Sequence, residues 1–209
     1  FYTPLDKFHR SKKIYKHILG TDVKDDQLIF EETDDSFSVS ISLTSDEKFF
    51  VINTSDSNTV EEYFFSSKKE EIKPELFKAR KKGIKYSIDS WKNHWYIHTN
   101  DNALDYQILR CDHNNIKKLS VFIPPKKETV IGGFDFLDNY ILRAEKSDAI
   151  PKLFVRNIHT NAEEELIVSE EAVGSPGFSL MQKNTNTTKI RISWDSLATP
   201  GKVYEYDIV

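Results

Sequence analysis

The sequence has little of several features that would place it in common classes of protein. A single cysteine, Cys111, has no partner for an intrachain disulfide bond, which is typical of a reducing compartment and predicts a cytoplasmic location. The net charge of −4 at pH 7 gives no electrostatic basis for binding nucleic acid. No apolar run approaches the ~18 residues that a membrane-spanning helix needs.

Glycine is also scarce, with 7 residues in 209, whereas aromatic residues are abundant, with 14 Phe and 9 Tyr. This composition favours β-strands and argues against disorder. The length is sufficient to bury a core, either as one domain or as a large part of one. The first residue is Phe1 rather than Met, so we expect the chain to be a processed or trimmed piece.

The clearest local pattern lies near the end of the chain. Ile190, Ile192 and Trp194 alternate with polar residues, and a second alternating run covers Val203–Ile208. A period of two is typical of a half-buried strand. Between the runs, Thr199–Gly201 supplies a proline that fixes φ and a glycine that allows φ above zero, so the segment predicts a β-hairpin.

Similar strands recur along the chain at a regular interval. First strands begin near residues 37, 86, 131 and 177, at steps of about 49, 45 and 46 residues. Third strands lie near residues 61, 106, 153 and 203, at steps of about 45, 47 and 50. Four short strands per period of ~40 to 50 residues predict an all-β fold, a β-propeller. A β-sandwich is the alternative, which explains the alternation but not the period.

The number of strands predicts an incomplete propeller, about half of one, built from four-stranded antiparallel blades. Open ends would expose apolar faces and strand edges, including an unpaired edge after Val209, so we expect self-association or pairing with the missing blades. The predicted segments are 1–35 (last strands of one blade), 36–82, 83–128 and 129–171 (one blade each), and 172–209 (three strands of a final blade).

Motifs for catalysis or for binding a cofactor are not recognisable. The segment Gly174–Gly177 is the nearest approach to a nucleophilic serine motif, but proline follows its serine, so we interpret it as a loop that enters a strand. His94 and His98 on one strand would be ~13 Å apart, too far to share one zinc ion. Adjacent side chains in Cys111–His113 point apart. We therefore predict no catalytic residue, no metal site and no cofactor.

Two charged loops are the candidates for a functional surface. An acidic run lies between an outer strand and the next inner strand, and a basic run occupies the corresponding loop one blade later. In a propeller such loops open on one face near the axis, where they could attract a basic ligand or pair with another domain. A solvated turn is the alternative. The candidate residues for this substrate or interdomain face are Glu31, Glu32, Asp34, Asp35, Arg80 and Lys82.

Three stretches carry a resemblance to a known family. They are Phe1–Thr3 with Asp6, Arg10 and His17–Thr21; Lys82–Asp89 followed by Thr99–Asp101; and Ser193–Ile208. Over essentially its whole length, the chain resembles the propeller domain of the prolyl oligopeptidase family of serine peptidases, and in particular its oligopeptidase B type.

The resemblance implies a seven-bladed propeller that caps an α/β-hydrolase domain and admits only short peptides to its Ser-Asp-His triad. It also implies cleavage after Arg or Lys. None of the triad positions has a match in this sequence, so we expect the hydrolase domain to be absent and the piece to be inactive alone. The expected partners are that domain, the remaining blades and, for the whole enzyme, short basic peptides. A stand-alone interaction scaffold without enzymatic activity is the alternative, which a Gly-X-Ser-X-Gly motif after Val209 would argue against.

Overall fold

The computed structural model describes residues 1–168, 174–180 and 188–208. These residues form seventeen β-strands and one short 3-10 helix, Val23–Asp25. The strands lie in two compact units, one of residues 1–102 and 108–123 and the other of residues 103–107 and 124–209. In the described part of the chain, no helix is long and apolar enough to cross a membrane.

The first unit contains three antiparallel sheets in which each strand pairs with the next in sequence. The two-stranded sheet pairs β1 (Lys13–Lys16) with β2 (Gln27–Glu31). The first four-stranded sheet consists of β3 (Ser38–Leu43), β4 (Phe49–Ser55), β5 (Val60–Ser66) and β6 (Glu75–Lys78). The second consists of β7 (Tyr86–Trp91), β8 (His94–Thr99), β9 (Gln107–Asp112) and β10 (Ser120–Ile123).

The second unit contains a four-stranded and a three-stranded antiparallel sheet, again in sequence order. The four-stranded sheet consists of β11 (Thr129–Leu137), β12 (Tyr140–Ser147), β13 (Ile150–Asn157) and β14 (Glu163–Glu165). The three-stranded sheet consists of β15 (Ser175–Leu180), β16 (Lys189–Asp195) and β17 (Lys202–Asp207). The predicted segment boundary between residues 171 and 172 lies outside the described residues.

One strand differs from the sequence pattern. The apolar run Leu166–Val168 predicts a fourth strand over Glu165–Val168, but β14 ends at Glu165. Strand β14 consists of three glutamates that pair with β13, and Leu166 is buried just after it, only 4% exposed. Burial of this leucine in the core therefore does not require it to be in the strand.

Alternation along the strands produces the cores between neighbouring sheets. In β16, Ile190 and Ile192 are almost fully buried, and they pack in one cluster with Leu142 and Val155 of the preceding sheet. Strand β16 pairs with β17, from Lys189 opposite Asp207 to Trp194 opposite Lys202, which confirms the predicted hairpin. In the first unit, aliphatic and aromatic residues form two corresponding clusters, around Ile14, Val39, Ile52 and Phe65 and around Tyr86, Ile88, Trp95 and Ile97. Full burial of such a side chain contributes ~1.5–3 kcal/mol.

The topology gathers particular connections at one end of each sheet. Because successive strands are antiparallel, the chain reaches the first strand, turns between the second and third, and leaves the fourth at the same end. In the β3–β6 sheet, that end carries the incoming segment 32–37, the turn 56–59 and the outgoing segment 79–85. Both charged loops singled out in the sequence therefore lie at this end.

Candidate functional site

Arg80 is the centre of a charged cluster at this end of the β3–β6 sheet. Its Nη2 donates to Glu32 Oε2 at 2.5 Å and to Glu61 Oε1 at 3.0 Å, and its Nε donates to Glu61 Oε1 at 3.2 Å. The backbone N–H of Arg80 donates to the other oxygen of Glu61 at 2.8 Å. The guanidinium lies over the ring of Phe37, 3.9 Å from its centroid, in cation–π geometry. We call Arg80, Glu32, Glu61 and Phe37 the Arg80 cluster.

Glu32 is buried, with only 6% of its side chain exposed, and it is fully hydrogen-bonded. Thr54 Oγ1 donates to Oε2 at 2.5 Å, and the backbone N–H of Asp34 donates to Oε1 at 2.9 Å. Burial alone would raise the pKa of Glu32, but the hydrogen bonds from Thr54, Asp34 and Arg80 hold that pKa below its usual value. Glu32 is therefore a charged structural partner at neutral pH.

Glu61 behaves in the same way from strand β5. Its side chain is 8% exposed, and it accepts a 2.8 Å hydrogen bond from the Tyr63 hydroxyl. Burial opposes ionisation, but the contacts with Arg80 outweigh it and lower the pKa of Glu61. Burial and the neighbouring carboxylate raise the pKa of Tyr63 to about 12, so its hydroxyl remains a donor. The cluster thus joins the incoming connection, β5 and the outgoing connection of one sheet.

The other predicted candidates do not converge on the cluster as a single charged surface. Asp34 Oδ1 accepts from the Ser36 hydroxyl and backbone N–H. Lys82 lies exposed on the outgoing connection. The two remaining acids form exposed ion pairs, Glu31 Oε1 with Lys13 Nζ at 3.0 Å and Asp35 Oδ1 with Arg10 Nη2 at 3.4 Å. Among the described contacts of the six candidates, Glu32 bonds Arg80 through its side chain and also accepts from the backbone N–H of Asp34.

Glu62, adjacent to the Arg80 cluster, is a buried acid that the sequence analysis missed. Only 3% of it is exposed, and its carboxylate accepts from Asn53 Nδ2 at 2.9 Å and from the backbone N–H of Ile88 at 2.7 Å. Burial, reinforced by the charge of Asp89, raises the pKa of Glu62 to about 7. The sequence feature that could have indicated this acid is the pair of consecutive glutamates in the apolar strand β5. A buried carboxylate in such a strand requires partners from outside that strand.

A buried serine of the first unit contacts both a histidine and an aspartate. Ser90 Oγ lies 2.9 Å from Asp46 Oδ2 and 2.9 Å from His113 Nε2. In a hydrolytic triad the histidine lies between the serine and the acid, whereas here the serine lies in the middle. Ser90 is also fully buried, so a substrate carbonyl cannot approach it. We interpret this trio as a polar link between the β3–β6 and β7–β10 sheets.

The remaining histidine and cysteine candidates have structural partners. His94 Nε2 lies 3.1 Å from Asp112 Oδ1. Cys111 is 4% exposed, and burial, with a further contribution from Asp112, raises the pKa of its thiol to about 11, so the thiolate is not populated at neutral pH. In the ranges that the structure describes, no group of three or more His, Cys, Asp or Glu residues could hold a metal ion.

A second arginine cluster, in the other unit, was also missed. Arg143 in β12 is fully buried; its Nε donates to Glu145 Oε1 at 2.8 Å, and its Nη1 donates to Glu163 Oε2 at 2.7 Å. Lys126 Nζ donates to both oxygens of Glu145, at 2.8 and 2.9 Å. The guanidinium lies 4.8 Å from the centroid of the Phe154 ring. We call Arg143, Glu145, Glu163, Lys126 and Phe154 the Arg143 cluster.

Comparison with known proteins decides the family. The protein-family model for the N-terminal β-propeller domain of prolyl oligopeptidase matches residues 1–209 of this chain. The chain belongs to the prolyl oligopeptidase family. This confirms the resemblance to the prolyl oligopeptidase propeller, and it confirms an all-β fold of about half a propeller.

Relatives of this prolyl oligopeptidase propeller are much longer than the chain. This chain is 29% identical over 201 residues to Protease 2 from Moraxella lacunata, and the match covers 96% of this chain and 28% of the relative. It is 28% identical over 201 residues to dipeptidyl aminopeptidase BI from Pseudoxanthomonas mexicana, covering 93% and 27%. The structure of oligopeptidase B from Trypanosoma brucei with covalently bound antipain superposes with a TM-score of 0.91 at 20% identity, over 99% of this chain and 31% of that one. The chain therefore spans less than a third of the length of these relatives, and the fold is what this superposition establishes.

Proposed function

We propose that this chain is the substrate-gating propeller part of a serine oligopeptidase that cleaves short peptides after Arg or Lys. The observation that carries the proposal is the match of the prolyl oligopeptidase propeller model to residues 1–209. In this proposal, a hydrolase domain outside these 209 residues supplies the nucleophile, the histidine base and the oxyanion hole. The propeller contributes by restricting entry to that domain.

The arrangement of polar side chains supports a non-catalytic role for the propeller. Ser90 and His113 are in contact, but the serine is buried and lies between the histidine and Asp46. The pKa of the Cys111 thiol is raised, which is the opposite of what a nucleophilic cysteine requires. Each of these groups acts as a packing or hydrogen-bonding element.

The cleavage specificity rests on the similarity to Protease 2 and on the exposed acids. Glu31 and Asp35 are ion-paired at the surface and remain accessible to a basic peptide. The similarity to a dipeptidyl aminopeptidase is a specific reason to test a second specificity, removal of dipeptides from a free amino terminus.

The test uses two proteins, the 209-residue chain and the full-length product of its reading frame. We expect the full-length protein to cleave a blocked Arg-Arg model substrate and the 209-residue chain to have no activity. Substrates ending in Ala or Pro at the cleaved position serve as controls for specificity, and a free-amino dipeptide substrate tests aminopeptidase activity. Turnover by the 209-residue chain alone would overturn the proposal of a non-catalytic propeller. A full-length protein without peptidase activity would overturn it in favour of a scaffold.

A further inference from the structure

A cleft opens in the first unit beside the connection between β1 and β2. Its volume is about 530 Å³, which lies within the ~300–1,000 Å³ that is typical of small-molecule sites. The residues that line it come from this connection and from the segment that lies next to it, namely Phe1, Tyr2, His17, Leu19, Val23 and Asp26. We call it the His17 cleft.

The walls of the cleft are mostly apolar. Leu19 is 92% exposed and Val23 is 65% exposed, so both side chains lose apolar surface to water. The ring of Phe1 is held in place by edge contacts with the rings of Phe50 and Phe65, whose centroids lie 4.7 and 5.6 Å away. Because covering exposed apolar surface is favourable, these walls favour a ligand with an apolar body.

The connection that supplies the aliphatic wall is ordered by its own hydrogen bonds. Thr21 donates to the Ile18 carbonyl through its backbone N–H at 3.1 Å and through its hydroxyl at 2.8 Å. Gly20 completes this turn with a φ of 92°, a conformation that glycine adopts readily. The 3-10 helix Val23–Asp25 follows directly. The wall is therefore formed before a ligand arrives, which lowers the entropic cost of binding.

Asp26 holds the two polar rings of the cleft in place. Its side chain is 2% exposed; Oδ1 lies 2.7 Å from His17 Nδ1, and Oδ2 accepts from the Tyr2 hydroxyl at 2.8 Å. Burial opposes ionisation, but the hydrogen bonds from His17 and Tyr2 hold the pKa of Asp26 below its usual value. An ionised carboxylate can only accept, so His17 Nδ1 carries a proton and donates.

The second ring nitrogen of His17 is available to a ligand. With Nδ1 protonated, Nε2 of the neutral imidazole is a hydrogen-bond acceptor. No described residue donates to it, and it is not one of the buried polar atoms that lack a partner, so it remains accessible on a side chain that is 28% exposed. His94 provides a contrast, because its Nδ1 lies 3.0 Å from the Lys92 carbonyl and its Nε2 lies 3.1 Å from Asp112.

We propose that the His17 cleft is a binding site for a phenol. The aromatic ring packs against Phe1, Leu19 and Val23, and the hydroxyl donates a hydrogen bond to His17 Nε2. A phenol combines an apolar ring with a donor, whereas a carboxylate would place an acceptor against the acceptor Nε2, and a hydrocarbon would leave Nε2 unused. The inference does not rest on the proposed peptidase function, because no step of it involves turnover.

Isothermal titration calorimetry of the full-length product of the reading frame tests the site. We expect p-cresol to bind saturably, and 4-methylanisole, which keeps the ring but lacks the hydroxyl proton, to bind about tenfold more weakly. N-acetyl-tyrosinamide distinguishes the source of the phenol. Binding as tight as that of p-cresol assigns the cleft to tyrosine side chains of peptides, and binding of p-cresol alone assigns it to free phenols.

Two variants separate the acceptor from the apolar wall. His17→Phe keeps a ring but removes Nε2, and we expect about tenfold weaker binding of p-cresol with little change for 4-methylanisole. Leu19→Ser shortens the wall, and we expect about fivefold weaker binding of both probes. Leu104→Ser is the matched control, since Leu104 is 91% exposed and lies outside the cleft, and it should change neither affinity.

Three results would overturn the phenol site. They are a full-length protein that does not bind p-cresol, equal affinities for p-cresol and 4-methylanisole, and a His17→Phe variant in which the ratio of the two affinities is that of wild type. If the 209-residue chain binds p-cresol but the full-length protein does not, the rest of the chain covers the cleft and the proposal is wrong. Each of these results leaves the oligopeptidase function standing, because that function is judged by turnover of peptide substrates.

Discussion

The Arg80 and Arg143 clusters use the same chemistry in different surroundings. Each guanidinium bonds two glutamates and lies over a phenylalanine ring. Arg80, in a connection, keeps 28% of its side chain exposed, whereas Arg143, in the middle of a sheet, has none. Because the penalty for an unpaired charge rises with burial, the protein should depend more strongly on Arg143 than on Arg80.

The largest expected effect is therefore the loss of Arg143. Arg143→Met leaves Lys126 as the cation beside Glu145 among the described residues, and it removes the fully buried partner of Glu163. We therefore expect the free energy of unfolding to fall by about 3–5 kcal/mol. Urea denaturation measures the change. Lys152→Met, which breaks an exposed pair with Glu165, is the control and should have little effect.

Loss of Arg80 should be less costly. Arg80→Met leaves Glu32 and Glu61 with the hydroxyl donors of Thr54 and Tyr63, so we expect a loss of about 2 kcal/mol at pH 7. If Arg80→Met destabilises the protein as much as Arg143→Met, burial does not determine the difference between the clusters.

The pH dependence of the Arg80 variant has a definite sign. Arg80 helps to hold the pKa of Glu32 and the pKa of Glu61 below their usual values. The stability from a lowered carboxyl pKa is present above the unfolded pKa and is lost as the pH falls through the folded pKa. The stability difference between wild type and Arg80→Met should therefore be full at pH 7 and shrink below about pH 4.5.

A third prediction concerns the buried acid beside the Arg80 cluster. In the folded protein the pKa of Glu62 is raised to about 7. The stability that the neutral form of Glu62 provides is therefore lost as the pH rises from the pKa of this group in the unfolded chain through 7. We expect the free energy of unfolding of Glu62→Gln to be similar to that of wild type at pH 5. At pH 8.5 the variant should be more stable than wild type by about 1–3 kcal/mol. Thermal unfolding at the two pH values checks this. Equal stabilities of wild type and variant at pH 8.5 would count against a raised pKa of Glu62.

The strands of both units could largely be predicted from the sequence, and the reason is physical. A strand with one buried face repeats every two residues, as β16 does with Ile190, Ile192 and Trp194. Strand β14 breaks this rule because its glutamates are stabilised by cations of neighbouring segments, Glu163 by Arg143 and Glu165 by Lys152. No pattern within the strand indicates those partners.

The residues of the Arg80 and Arg143 clusters could be predicted from the sequence only in part, for a related reason. Acidic and basic runs in the connections are easily recognised in the sequence. They therefore predicted both Glu32 and Arg80 as candidate residues, although these two residues lie 48 positions apart. Glu61 lies in a strand 19 residues from Arg80, and Arg143 lies in an apolar strand with Glu163 20 residues away. Pairing of buried charges depends on which strands become neighbours, and local spacing does not encode it.

The smallest expected effect on stability separates surface acids from structural ones. Glu31 and Asp35 are 44% and 88% exposed, unlike Glu32 at 6%. We expect Glu31→Gln with Asp35→Asn to shift the Tm by less than about 2 °C, because exposed ion pairs contribute little. In the full-length protein, the same change should raise KM for an Arg-Arg substrate and leave kcat nearly unchanged if these acids attract basic peptides. The KM effect should weaken in high salt, since exposed charges are screened, and an unchanged KM at low salt would restrict the two acids to an ordinary solvated surface.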